Sequence, residues 1–204
     1  GPKTRANVAS IGGEAPVLGG QPSTPVVSTP ASGVAVSLAS DSPSGSAISG
    51  AGQISVGKFA LAAAVSAGAT ITGLEFEKVG VVSDTAVNNL YLADESGVVF
   101  AQFQSLSFGK AIFSGLNLMV NAGQTRYVTL RLDLATGANA GNTIAWKLSG
   151  VTAGSAAISG IPVQSNTLTV TSVSNPSLAG VTWNFNAVGS SVDAGTTGVM
   201  IGTA

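Results

Sequence analysis

The sequence predicts an all-β protein whose central part is an antiparallel β-sandwich, and three observations carry that expectation. Apolar and polar residues alternate along many short segments, the two-residue period of a strand with one buried face. Turn-forming residues interrupt these segments at spacings of roughly eight to twelve residues, as in sandwiches and barrels. No stretch shows the period of an amphipathic helix convincingly.

The strands can be taken in order. Ile54 and Val56 alternate, and after Gly57 the phase passes to Phe59, Leu61, Ala63 and Val65. Ile71 gives way to Leu74 and Phe76 across Gly73. A glycine at a phase slip predicts a β-bulge or a strand crossing between sheets. The run SDTAVNN predicts one helical turn, with Ser83 or Asp84 as N-cap. Leu90 and Leu92 lead into a polar turn, Asp94-Glu95-Ser96-Gly97. The returning strand buries either Val98 and Phe100 or Val99 and Phe103, and the pattern leaves both open. Leu116, Leu118 and Val120 form the next set. The clearest strand is VTLRLDLA, with Val128, Leu130, Leu132 and Leu134 on one face and Thr129, Arg131 and Asp133 on the other. Ile144, Trp146 and Leu148 repeat the pattern, with Trp146 as a large core side chain, and Leu168 and Val170 close it.

Composition narrows the function. Only 8% of the 204 residues are charged, against roughly 25% in an average soluble domain. Such a surface is expected to be covered in part, and other copies of the same chain are the economical cover. Net charge is −1 and the eight basic residues are scattered, so no basic footprint for nucleic acid exists. No apolar run is long enough for a membrane-spanning helix. Cysteine is absent, so disulfides and thiolate metal sites are excluded; histidine is absent too, which removes Ser-His-Asp and Cys-His nucleophiles and the common zinc sites. No phosphate-binding or dinucleotide-binding glycine motif is present.

Three units follow. Residues 1–32 carry Pro16, Pro22, Pro25 and Pro30 among Gly, Ser and Thr, which favours an extended arm and forbids helix. Residues 33–172 form the sandwich. Residues 173–204 read as two strands, and they match the start of the central unit by pattern: Val34, Val36 and Leu38 align with Val181, Trp183 and Phe185, and Ile54 and Val56 with Val199 and Ile201. This last segment is either a partial second repeat or a strand donated to a neighbour.

Few residues offer chemistry. Glu75 and Glu77 lie on one face of a strand, at a spacing that suits no glycosidase pair clearly. Asp84, Asn88, Asp94 and Glu95, with Asn89 nearby, are hard-oxygen candidates for a calcium ion; capping and turn roles compete for the same residues. No other cofactor is expected, and the chain is expected not to be an enzyme.

The run from ITGLEFEKVG through NNLYLADESGVV and RYVTLRLDLATGANAGNTIAWKL to PVQSNTLTV resembles immunoglobulin-like repeat modules of large bacterial surface proteins. The resemblance covers residues 33–172, with a second copy begun near residue 176. It implies an immunoglobulin-like sandwich with an extended N-terminal arm and a strand-forming C-terminal segment. It implies an exported structural subunit at the cell surface, in a surface layer, pilus or other extracellular filament. The expected partners are other copies of the chain, joined by strand exchange. Val181, Trp183, Phe185, Val199 and Ile201 are the expected assembly anchors at one terminus, and Val17, Leu18, Val26 and Val27 at the other. The alternative is an adhesive or carbohydrate-binding module of a larger surface protein, presenting Tyr91, Tyr127 or Trp183.

Overall fold

The structure, a computed structural model, describes residues 29–104 and 106–172. The expected anchors Val17, Leu18, Val26, Val27, Val181, Trp183, Phe185, Val199 and Ile201 lie outside the described residues, as do the arm through residue 28 and the segment from residue 173.

Among the described residues the chain is all β apart from one turn of 3₁₀-helix. The strands are β1 (Val34–Leu38), β2 (Gly45–Ile48), β3 (Ile54–Ala63), β4 (Ala69–Gly80), β5 (Val87–Ala93), β6 (Val99–Gln104), β7 (Lys110–Val120), β8 (Thr125–Leu134), β9 (Thr143–Thr152), β10 (Ile158–Ser159), β11 (Val163–Gln164) and β12 (Leu168–Thr171). The helical turn, Asp84–Ala86, begins where the sequence placed it, with the Ser83 hydroxyl accepting from the Thr85 N–H. One sheet runs β10-β1-β3-β8-β5-β6 and the other β2-β12-β9-β4-β7, with β11 also paired to β9.

The expected all-β sandwich is present, and each of its two sheets also contains one parallel pair. β10 runs parallel to β1, and β2 parallel to β12. The two-residue alternation that reveals a buried face is the same for either strand direction, so the pattern is blind to this.

The inward faces meet in one core. Val128, Leu130, Leu132 and Leu134 are buried, as are Ile144, Trp146, Leu148, Leu168 and Val170. Four phenylalanines link the sheets in a zigzag. Phe59 on β3 lies 5.5 Å from Phe76 on β4; Phe76 lies 6.0 Å from Phe113 on β7; Phe113 lies 5.8 Å from Phe103 on β6. These separations and the tilted or edge-on geometries suit the aromatic quadrupole. The chain of rings begins in one sheet, crosses to the other and returns at the far edge.

Both glycine phase slips are bulges. The β3–β8 register shifts between Ser55 and Gly57, and the β4–β7 register between Ile71 and Gly73. A Cβ at Gly57 would come within 2.9 Å of the Phe59 ring and 3.0 Å of Ser165 Cβ, so a side chain there would push into the core. Buried Ser165 in turn bridges the gap between β11 and β12. Its hydroxyl accepts from the Trp146 N–H at 2.9 Å, and its own N–H donates to the Trp146 carbonyl at 2.7 Å.

Phe76→Ala removes the ring that touches both Phe59 and Phe113, and is expected to cost about 3–5 kcal/mol in urea unfolding. Ile112→Ala, on the exposed side of the neighbouring β7, is expected to stay within about 0.5 kcal/mol. Equal losses would contradict this account of the core.

Candidate functional site

The most distinctive surface feature lies at the side where β6 and β7 end their sheets. The β5–β6 hairpin is closed by Asp94, whose Oδ1 accepts from the N–H groups of Ser96 and Val98, each at 2.9 Å. Leu92 then pairs with Ala101, but Ala93 pairs with Val99, so Phe100 is an extra residue in β6. This bulge resolves the open phase of the hairpin. Ala101 and Phe103 pack on the core, while Val98, Val99 and Phe100 are exposed.

β7 has its own irregularity. Ile71 pairs with Leu118 and Gly73 with Ser114, so Gly115, Leu116 and Asn117 face a single residue of β4. Gly115 carries the positive φ that the bulge requires. The two bulges leave a cleft of about 440 Å³ between the edges, lined by Phe100, Leu116, Leu118 and Met119, with Asp94 and Arg126 at its margin. Phe100 is 40% exposed and Met119 58%. Six of the nine large apolar side chains exposed among the described residues fall between residues 98 and 119: Val98, Val99, Phe100, Phe108, Ile112 and Met119.

Arg126 is held by Glu95 through two bonds, Nε to Oε1 at 2.7 Å and Nη2 to Oε2 at 3.1 Å. Glu95 also accepts from the Tyr127 N–H at 2.7 Å. The hydrogen bonds that Arg126 donates to Glu95, with the charge of that carboxylate, raise Arg126 above its ordinary value against the effect of burial. Burial pushes Glu95 upward, but Arg126 and the Tyr127 N–H outweigh it and hold the carboxyl below its usual range. The cleft therefore presents apolar walls and one cation already balanced by its own carboxylate. It suits an uncharged apolar or aromatic group.

The oxygen ligands expected for calcium are not brought together. Asp84 and Asp94 stand at opposite ends of β5, separated by about 23 Å of strand. Asp84 pairs with Lys78 at 3.1 Å and accepts from the Gly109 N–H at 2.7 Å. Asp94 closes its turn, Glu95 holds Arg126, and Asn88 is an exposed strand residue. Among the described residues, no three acidic side chains converge. The four residues expected to hold calcium thus occupy separate places, each of the three carboxylates with a partner of its own.

Tyr91 and Tyr127 lie on the outer face of the sheet that contains β8, and both have partners. The Tyr91 hydroxyl donates to Asp133 Oδ2 at 2.6 Å, and Lys58 Nζ sits 5.0 Å from the centroid of the Tyr127 ring. Glu75 and Glu77 pair with Lys110 at 3.3 Å and Lys147 at 2.7 Å. Sequence reasoning named none of Phe100, Met119 and Arg126 as site residues. The signal for them was weak: three consecutive apolar residues, Val98 to Phe100, in an otherwise alternating hairpin, and Met119 out of phase with Leu118.

No protein-family model matches the chain, and no curated protein does. Among solved structures, it is similar to a family 123 glycoside hydrolase from Clostridium perfringens, described for glycolipid glycan hydrolysis. The TM-score is 0.37 and the identity 11%, over 69% of this chain and 27% of that one. The expectation that the chain is not an enzyme is corrected by this match: the solved structure found similar is an enzyme, and the exclusion is dropped. At that TM-score the likeness carries no argument for a reaction in this chain. No helix among the described residues is long and apolar enough to cross a membrane.

Several carboxylates set the expected pH response. Partial burial pushes Asp133 upward, but bonds from Tyr91, Asn89 and the Gln53 N–H prevail and hold it below its ordinary value. Asp41 is lowered by the hydrogen bond from Lys58, and Glu77 by that from Lys147. Together with Glu95, these groups bind protons more weakly folded than unfolded. Their contribution is complete above the unfolded values of about 4 and is lost as pH falls through the folded ones. Tyr91 is raised by its bond to Asp133, so its contribution is complete below about 10 and lost at higher pH. Melting temperature against pH is expected to show both limbs, and Asp133→Asn to flatten each. An unchanged profile in that variant would contradict the assignment.

Proposed function

We propose that this chain is a structural subunit that assembles with other copies of itself by exchanging β-strands, in an extracellular filament or surface layer at the cell surface. The observation that carries the reading is the concentration of exposed apolar side chains along the β6–β7 side. A strand at a sheet edge presents unpaired N–H and C=O groups, and an added strand satisfies them while burying alternate side chains. The sequence supplies candidate strands of that pattern outside the sandwich, Val181-Trp183-Phe185 above all. Each of these three side chains contributes about 1.5–3 kcal/mol when fully buried. The charge content of 8% and the resemblance to immunoglobulin-like surface modules support the same reading.

The full chain is expected to form polymers visible by electron microscopy and in sedimentation velocity. The double substitution Trp183→Asp with Phe185→Asp is expected to lose them while circular dichroism and the melting transition of the sandwich remain. A chain that stays monomeric at every concentration and ionic condition would contradict the proposal.

A further inference from the structure

We propose that the β6–β7 cleft is the acceptor for residues 181–185 of a second copy, with Trp183 entering it and the donated strand lying along β6. This rests on the self-assembly reading and names the site that would carry it.

The choice of edge follows from the bulges. Gly115–Asn117 break the regular ladder of β7 midway, which bars a continuous strand partner there. β6 carries its own bulge at Phe100, near its start, but from Ala101 to Gln104 it pairs regularly with β5 and is the last strand of its sheet among the described residues. The volume of about 440 Å³ falls within the range of about 300–1,000 Å³ usual for binding clefts.

The choice of occupant follows from the lining. Arg126 is fixed by its two bonds to Glu95 beside apolar walls. A guanidinium so placed favours an aromatic ring, by stacking and cation–π attraction, over an aliphatic side chain. Residues 1–32 contain no aromatic residue, and prolines 25 and 30 flank Val26 and Val27 and remove ladder N–H groups. Residues 181–185 supply Trp183 and Phe185, carry no charge and contain no proline. An uncharged strand suits a cleft whose single cation is already neutralised.

The choice of a second copy follows from the topology. The last described strand, β12, is separated from β7 by β9 and β4, three strand spacings or about 14 Å. β12 runs antiparallel to β9, pairing Thr169 with Thr143, so Ser172 leaves beyond the start of β9. The cleft lies at the other end, where β4 begins opposite Val120 and the end of β9 approaches Gly73. The ten residues of β9 make that offset about 33 Å. Exit and cleft are thus on opposite sides of the sheet and at opposite ends of its strands. Trp183 is eleven residues past Ser172, a reach of at most about 38 Å, so its own cleft demands an almost straight chain around the sandwich. A neighbour stacked end to end meets no such limit. Unlike surfaces meet in this contact, and a contact of that kind propagates as an open polymer wherever the rotation between copies does not close a ring.

The absence of cysteine makes a direct test clean. One full-length chain carries Met119→Cys, another Phe185→Cys, and the mixture is treated with a short bis-maleimide. A cross-linked heterodimer is expected, absent when exposed Ser46→Cys on the far edge replaces Met119→Cys. Phe100→Asp added to the Met119→Cys chain is expected to lose the cross-link while its melting transition is kept. Polymers that persist without the 119–185 cross-link would overturn this acceptor and leave self-assembly standing. Absence of both polymers and cross-link would overturn both. Cross-linking of a doubly substituted chain within its own monomer, or of Val26→Cys to Met119→Cys in place of Phe185→Cys, would assign the cleft to a different occupant and overturn the inference.

Discussion

The contact on which the rest of the structure depends is the line of four phenylalanine rings that crosses the sandwich. Phe59 and Phe76 face each other between the sheets near the middle, and Phe113 carries the contact to Phe103 at the β6–β7 side. Two sheets with few charges and many small side chains have little else to set their separation there. Large rings meeting at tilted angles bury area and fix an orientation as well. The same line decides where the sandwich stays open. Phe103 and Phe113 pack together across the β6–β7 side, and the cleft is lined by residues of the bulges at Phe100 and Gly115–Asn117. Bulges of this kind usually re-aim a side chain or end a pairing at a sheet edge; here they do both.

Charge is used sparingly and close at hand. Each of the five ion pairs among the described residues sits on a sheet face, at a strand end or against a turn. Exposed pairs of this type contribute little to stability. Their effect is local: Lys78 and Asp84 tie the helical turn down, and Glu95 fixes Arg126 beside the cleft. What remains exposed along β6 and β7 is apolar and unbalanced by charge. A patch of this kind marks a contact surface or an aggregation hazard, and the assembly proposed above would cover it.

Much of the fold was legible from alternation alone. VTLRLDL and TIAWKL put the right residues inside, Gly57 and Gly73 marked real bulges, and Ser83 capped the turn. The limits have physical causes. The parallel pairings of β10 and β2 leave no trace in a two-residue period. The phase of β6 depended on an extra residue, Phe100, that only pairing with β5 reveals. Arg126 reads as part of a strand, and its place beside the cleft depends on Glu95, thirty-one residues earlier in the chain. The calcium expectation treated neighbours in sequence as neighbours in space, whereas an extended β5 holds Asp84 and Asp94 far apart. The arm through residue 28 and the residues that follow Ser172 lie outside the described residues, so the anchors named there rest on sequence pattern.

The proposed assembly completes the edge of β6, the last strand of its sheet among the described residues, with a strand from another copy. Hydrogen–deuterium exchange on the polymer and on chains dispersed below the unfolding transition tests it most directly. The account expects the amides of Val99–Gln104 and of residues 181–185 to slow together on assembly, with the interior strands unchanged. Slowing confined to the opposite edge, at β2, or an assembled state in which β6 exchanges as fast as in the dispersed chain, would contradict it.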